Sequence, residues 1–466
     1  MAKKIVYSNE QKEIIKYEGS QLLIRGIAGS GKTLMLLEKA CDVATKNPND
    51  SIAIFTYGKP LSIFLESQIR EKKLDNIIIN TFHSWALRNY YLTFEKRPQI
   101  EQKRRHKLEE AIKLIAENNK GHRFVDNKHL IEFIETEIGW IKGCDLCEFK
   151  DYDKAPRKGR GGKVRLSAID KKVMFQIFEK YQELLGSKLD YHDVGLLMSR
   201  NLDKIKEKSK FDHIFIDEAQ DLTKVNITTL CHIARKSCIV GADKGQKIFT
   251  TSFTWESVGL NIKGGRTKVL RQSYRSTKQI MELAYSIQEK DEISKDEEFT
   301  RPALPSKNGA KPKIFFTKNV EAHDKVLIET VKLITQFDPK ATIGVLSRYN
   351  KKQRRIERLF KDFEIGYKVI NSSNESDNTN IHSEPGIKLT TLHTAKGLEF
   401  KYVIIANAID PASGERLGDD FDWDIERRLI YVGMSRAMEV LTVLTYGDRH
   451  FLVDELNKSC YDPVVV

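Results

Sequence analysis

A chain of 466 residues with 40% hydrophobic and 31% charged side chains is too long for one ordinary domain, and it can fill about two to four cores. Lysine and arginine outnumber the acids 78 to 65, for a formal net charge of +13. That balance excludes an acidic solvating chain and favours a polyanionic partner, because neutralising phosphates releases condensed counterions.

The opening residues lack a signal-peptide pattern, no apolar run reaches bilayer length, and six cysteines lie scattered along the chain. The expectation is a cytoplasmic protein with no membrane association.

Residues 1–83 alternate short β-branched runs (Leu22–Ile24, Ser51–Phe55, Asn76–Ile79) with helical stretches, the rhythm of a parallel-sheet α/β domain. Directly after the first run comes Gly26-Ile27-Ala28-Gly29-Ser30-Gly31-Lys32-Thr33, the G-x-x-x-x-G-K-[ST] phosphate loop in its strand–loop–helix setting. The glycines let consecutive backbone N–H groups and a helix N-terminus face an anion. Lys32 brings a positive charge for the terminal phosphates, and Thr33 offers a hydroxyl to Mg²⁺. ATP and Mg²⁺ are the expected ligands.

Residues 84–210 lose the alternation and read as mainly helical, with a Gly/basic loop that contains Arg157 and Arg160. Cys144-Asp-Leu-Cys147 is a single C-x-x-C, short of the four ligands that a zinc site needs. From Phe211 the α/β rhythm returns, with strand-like runs at Ile214–Ile216, Cys238–Val240, Lys268–Leu270, Thr342–Leu346, Lys388–Leu392 and Val403–Ile405. The first of these delivers Asp217 and Glu218 to a strand end, where ligands gather in open α/β sheets. Asp217 is placed for Mg²⁺, and Glu218 is placed to orient and deprotonate an attacking water. The polar stretch around Asn371–Asn380 reads as a surface loop.

Four later segments set the class: Ala242-Asp243-Lys-Gly-Gln246, Gln272-Ser273-Tyr274-Arg275, Thr391-Leu-His393-Thr394-Ala-Lys396-Gly397-Leu-Glu399, and Glu426 to Ala437 with Arg436. Together with Gln11 near the start and Thr81-Phe82-His83-Ser84, this ordered set resembles the superfamily 1A DNA helicases and translocases of the UvrD/Rep kind.

The resemblance implies two RecA-like parallel-sheet domains, called 1A (residues 1–83 and 211–272) and 2A (residues 273–466), with a helical 1B insertion at 84–210. It implies that Gln11 reads adenine, Tyr274 stacks on it and Glu399 meets the ribose. Gln246 would sense the γ-phosphate, with Arg275 and Arg436 as arginine fingers. Thr56, Thr81, His83, Thr391 and His393 would face the backbone of single-stranded DNA, and Arg157 and Arg160 would add basic contacts. Trp255 is the preferred base-stacking platform, with Tyr57, Phe249 and Phe253 as further candidates.

Relatives carry a large accessory domain, 2B, between the Arg275 and Thr391 motifs; here residues 371–386 stand in its place. The implied activity is ATP-driven 3′-to-5′ movement on single strands and at single-strand/duplex junctions by a monomer. The alternative is a motor or sensor subunit that depends on a partner such as a nuclease. RNA remains a second possible track.

Overall fold

The computed structural model describes residues 7–157, 166–247, 253–296, 299–370, 384–406, 423–447 and 451–466. Among the described residues, thirteen strands, all paired in parallel, form two sheets. The first contains β1 (Gln21–Gly26), β2 (Ile52–Thr56), β3 (Ile77–Thr81), β4 (Phe211–Ile216), β5 (Ala234–Ala242) and β6 (Thr267–Leu270), in the order β3-β2-β4-β5-β1-β6. The second contains β7 (Lys313–Thr317), β8 (Thr342–Ser347), β9 (Tyr367–Val369), β10 (Gly386–Thr391), β11 (Phe400–Ala406), β12 (Ala437–Tyr446) and β13 (Asp462–Val465). Its order is β13-β7-β12-β11-β8-β10-β9. The chain is therefore an α/β protein with two RecA-like parallel-sheet domains.

Parallel strands are covered on both faces, so they read as continuous apolar runs. β2 is buried at all five positions, and β11 at all but one. Helix Lys32–Lys46 sends Met35, Leu36 and Ala40 into one face of the first sheet, alongside Ile24, Ile54 and Phe215. Phe55, Trp85, Ile214 and Val240 fill the other face. In the second domain, Leu429, Tyr431, Val432, Ile405 and Val443 pack on one side, and Val326, Leu327, Ile356 and Phe360 on the other.

Between β3 and β4 the described residues form helices, among them Phe82–Phe94, Arg104–Ile115, Ile131–Gly143, Ala168–Leu185 and Tyr191–Arg200. Leu108, Ile134, Trp140, Phe175 and Phe178 give this insertion a core of its own. It leaves the first sheet at the end of β3 and returns at β4, two strands that flank β2. The excursion therefore leaves the sheet uninterrupted.

The interval between β9 and β10 is residues 370–385, too short for a further domain. Residues 371–383 lie outside the described set. Among the described residues, no helix is long and apolar enough to cross a membrane.

Candidate nucleotide cleft and nucleic-acid edge

The phosphate loop turns sharply because Gly29 and Gly31 adopt φ of 72° and 86°, left-handed values that only glycine takes without strain. A Cβ on Gly29 would lie 2.6 Å from Ser273 Oγ and 2.7 Å from Arg275 Cβ. The Ser273–Arg275 segment therefore sits directly against this loop. Gly31 is the N-cap of helix Lys32–Lys46, whose first N–H groups and dipole face the loop.

Lys32 is buried, and its Nζ donates to the carbonyls of Gly26 and Ile27, both at 3.0 Å, and to Asp243 Oδ2 at 3.3 Å. Thr33 Oγ1 donates to Asp217 Oδ2 at 2.6 Å. Burial, then the neighbouring Glu218, pushes the Asp217 carboxyl up to about 6. Glu218 moves the other way: burial raises it, but Lys396, Lys32 and Arg436 together with a Gln220 hydrogen bond outweigh that and hold it ionised. Glu218 also has φ of 51°, a left-handed conformation that costs a non-glycine residue about 1–3 kcal/mol and is typical of functional sites.

The Asp243–Lys247 segment after β5 is gripped by the second domain. Gln246 Nε2 donates to Asp243 Oδ2 at 2.5 Å, while Arg436 Nη2 donates to Gln246 Oε1 at 2.8 Å. Arg428 Nη1 reaches the Lys247 carbonyl at 3.3 Å, and Gln288 Nε2 the Gly245 carbonyl at 3.1 Å. Arg436 is 1% exposed, and burial followed by the nearby Arg275 pulls its guanidinium down to about 10. Arg275 pairs with Glu399, so these two predicted nucleotide contacts share one spot at the rim.

Gln11 is buried and donates from Nε2 to the Ser30 carbonyl at 3.3 Å. Tyr274 is 51% exposed, with its backbone N–H on the Gly29 carbonyl at 2.9 Å. Gln11, the phosphate loop, Tyr274, Asp217, Glu218, Gln246, Arg275, Glu399 and Arg436 therefore surround one cleft.

Whether ATP and Mg²⁺ suit this cleft is answered by its donors. A Cβ on Gly26 or Gly29 would lie 2.6 Å from a serine hydroxyl, so the cradle stays open to an anion only with glycine at these two positions. Ser273 Oγ and Arg275 Nε are buried without a hydrogen-bond partner. The Lys32 amine rests on loop carbonyls that an anion would replace. Thr33 and Asp217 already share a hydrogen bond where a hard cation's oxygen ligands belong.

Sequence reasoning gave no role to Lys396. This side chain of the second domain is 5% exposed. It lies 2.5 Å from Asp221 Oδ2 and 3.8 Å from Glu218 Oε2, and it donates to the Gln246 carbonyl at 2.5 Å. The signal was its place in the Thr391–Glu399 motif, but only the docking of two domains shows its target.

The predicted nucleic-acid contacts separate into two groups. Thr56 and Thr81 are register partners at the C-terminal ends of β2 and β3. Thr391 ends β10 beside Ser347 of β8, and His393 Nδ1 lies 3.5 Å from Arg348 Nη1. Thr81 caps helix Phe82–Phe94 by accepting from the Ser84 N–H. The ring of His83 sits edge-on to Tyr191 at 5.8 Å. Burial first, then neighbouring positive groups, bring His83 and His393 down to about 4 each, so both are neutral near pH 7. Tyr57 is 41% exposed next to Thr56. These residues line the same strand ends as the nucleotide cleft.

Two other expectations are corrected. Trp255 is 8% exposed and packs in the first domain's core with Val258 and Leu260, edge-on to Phe253 at 5.3 Å. Its indole is a core filler because the turn that follows it packs against helix Lys224–His232 and carries Val258 and Leu260 into the same core. Arg157 makes a bidentate pair with the fully buried Glu137, at 2.5 and 3.0 Å, and lies over the Trp140 ring at 5.2 Å. Its charge is used inside the helical insertion. Arg160 and Phe249 fall outside the described residues.

A phosphate loop on one parallel sheet, faced by arginines from a second, is the arrangement of a two-domain α/β protein of the RecA-like class. Residues 7–252 match the UvrD/REP helicase N-terminal domain, and residues 268–375 and 370–447 match the UvrD-like helicase C-terminal domain. The chain belongs to the UvrD/Rep helicase family.

It is 23% identical over 419 residues to ATP-dependent DNA helicase Rep of Buchnera aphidicola, covering 82% of this chain and 57% of that protein. It is 25% identical over 395 residues to ATP-dependent DNA helicase PcrA of Staphylococcus epidermidis, covering 78% and 50%. With DNA helicase II of Rickettsia typhi it shares 26% identity over 393 residues, covering 78% and 56%. The chain thus spans about half the length of the curated relatives it matches.

Proposed function

We propose that this chain is a cytoplasmic, Mg²⁺-dependent ATP hydrolase that moves 3′ to 5′ along single-stranded DNA and opens duplex at junctions. The observation that carries this reading is the hydrogen bond from Arg436 of one domain to Gln246 of the other, beside Lys32 and Asp243. A nucleotide in this cleft touches both domains, so its binding and hydrolysis can change how they are held together.

Lys32 exchanges the Gly26 and Ile27 carbonyls for phosphate oxygens. Thr33 and Asp217 hold Mg²⁺, which supplies charge neutralisation on the phosphates. Glu218, kept ionised by Lys396, takes the proton of the attacking water. Arg275 and Arg436 stabilise negative charge that builds in the transition state. Gln11 and Tyr274 hold the adenine between them, and Glu399 meets the ribose. Because Gln246 contacts Arg436, the state of the γ-phosphate reaches the second domain, which carries Thr391 and His393 at its strand ends. The first domain offers Thr56, Tyr57, Thr81 and His83 at the matching edge. Alternating grip between these two sets moves the strand.

A second reading is favoured by the interval 370–385, which leaves no room for a 2B domain. The chain would then be a motor or sensor that hydrolyses ATP on DNA and relies on a protein partner for unwinding.

The test is ATP hydrolysis with and without single-stranded DNA, run beside unwinding of 3′-tailed and 5′-tailed duplexes. Strong stimulation with unwinding from the 3′ tail alone supports the autonomous motor, and stimulation without unwinding supports the partner-dependent one. If Lys32→Ala or Glu218→Gln retained hydrolysis within about fivefold of wild type, the catalytic assignment would be wrong, since a lost general base costs about 10²–10⁴.

A further inference from the structure

Helix Asn350–Asp362 begins immediately after β8 and Arg348. Its buried face is Gln353, Ile356 and Phe360. The opposite face presents Lys351, Arg354, Arg358 and Lys361, all exposed. Their spacing of three, four and three residues puts them in one row on the helix surface. At a rise of 1.5 Å per residue the row is about 15 Å long.

Among the described residues, none of these four cations has a hydrogen bond or an ion pair. Other exposed helical lysines of the chain do have partners one turn away, such as Lys46 with Asp42 and Lys325 with Glu329. Glu357, the carboxylate nearest the middle of the row, accepts from Gln353 instead.

The start of the helix is arranged against its own stability. Its first turn holds no acid, and the N-cap residue Tyr349 makes no side-chain cap. Lys351 and Lys352 sit at the positive end of the helix dipole, where a cation is unfavourable. An anion over this turn would reverse that sign. Just before it, Ser347 Oγ, on a residue 1% exposed, lacks a hydrogen-bond partner.

The row also continues the nucleic-acid edge. Ser347 is the register partner of Thr391. Arg348 reaches His393 at 3.5 Å and covers the Tyr349 ring at 4.5 Å. Arg348, whose guanidinium is also paired with Glu426 at 2.6 and 2.7 Å, thus links the Thr391–His393 edge to the start of the helix that carries the row.

We propose that Lys351, Arg354, Arg358 and Lys361 form an additional phosphate-tracking surface, which holds the stretch of single-stranded nucleic acid that has left the motor's track. This rests on the nucleic-acid reading of the strand-end edge given above. The contacts are to the backbone, so the surface is indifferent to sequence and strongly salt-dependent.

The test uses the full chain and the quadruple variant Lys351→Gln/Arg354→Gln/Arg358→Gln/Lys361→Gln. All four positions are exposed, so folding should be little affected. Binding of oligo-dT is followed by fluorescence anisotropy across a salt series. One probe is about 8 nucleotides, enough for the track, and the other about 30.

The expected result is unchanged binding of the short probe and about tenfold weaker binding of the long one. The long probe's log–log salt slope should become shallower by about 2–3, given about 0.7 per phosphate contact on single strands. An unchanged affinity and slope for the long probe overturns the proposal and leaves the row to an acidic protein surface. Equal losses for both probes overturn it too, because the row would then be part of the track. If wild type binds neither probe, the nucleic-acid reading of the strand-end edge fails, and the proposal fails with it.

Discussion

Replacing Lys396 by methionine separates two effects that the geometry ties to one amine. Lys396 and Asp221 form a buried pair, 5% and 0% exposed, at 2.5 Å across the two domains. Breaking such a pair leaves an uncompensated buried carboxylate and costs about 3–5 kcal/mol. Because the pair joins two separately cored domains, the cost should fall on their association rather than on either fold.

The second effect is electrostatic. A unit pair 3.8 Å apart interacts by about 4 kcal/mol at an effective dielectric of about 20. Lys396 is the leading group that keeps the buried Glu218 ionised. Glu218 must be ionised to accept a proton, and removing Lys396 raises its pKa. The acid limb of kcat should therefore move to higher pH, with turnover at pH 7 down by about 10–100-fold and partly recovered near pH 9.

Asp221→Asn breaks the same pair but leaves the amine beside Glu218. It should weaken domain closure, read by interdomain fluorescence transfer, without moving the acid limb upward. A Lys396→Met profile superimposable on wild type, in a protein that still hydrolyses ATP, would refute the electrostatic argument.

Arg436→Ala should lower DNA-stimulated turnover by about 10³-fold while changing nucleotide affinity much less, as fluorescent-nucleotide titration and steady-state kinetics would show; equal losses in both would reduce Arg436 to a ground-state contact. Trp255→Ala should destabilise the first domain by about 3–5 kcal/mol in denaturant unfolding, and its conservative replacement by phenylalanine should leave oligonucleotide affinity intact; a stable Trp255→Phe variant that had lost DNA binding would restore the stacking role. His83 and His393 fold with pKa values of about 4, below the unfolded value of about 6.5. Between these limits the unfolded chain binds more protons, so stability falls as pH drops from 6.5 towards 4, by about 3 kcal/mol per imidazole at the lower limit. Denaturation midpoints measured at pH 7.5 and 5 should diverge, and a His83→Gln/His393→Gln double variant should narrow the gap; an equal gap in both proteins would contradict this.

Much of the cleft is legible in the sequence because its chemistry is local. The Gly26–Thr33 loop and the β4 run ending at Asp217 and Glu218 are contiguous, and each states its own geometry through glycine spacing or a continuous apolar strand. The expected runs from Leu22–Ile24 to Val403–Ile405 each coincide with an observed strand, with Ser51, Asn76 and Leu392 one residue outside β2, β3 and β10, since strands buried on both faces leave an uninterrupted apolar record. β7, β9, β12 and β13 escape that reading; the mixed polarity of Lys313–Thr317 and Asp462–Val465 fits their place towards one edge of the sheet, and the three-residue β9 forms the other edge.

Whether an aromatic or an arginine faces outward is not a local property. Nothing next to Trp255 in sequence announces the core that covers it, and Glu137 lies twenty residues before Arg157. Sequence alone thus determined the nucleotide chemistry, the parallel-sheet class and the family, because those depend on short motifs and on burial periodicity. Only the tertiary structure decided that Lys396 holds Asp221 beside Glu218, that Arg436 rests on Gln246, and that Lys351 to Lys361 stand as an unpaired row. The first two depend on which surfaces the two domains bring within about 4 Å of one another, the range in which charge and hydrogen bonding act, and the third on which face of helix Asn350–Asp362 is left uncovered.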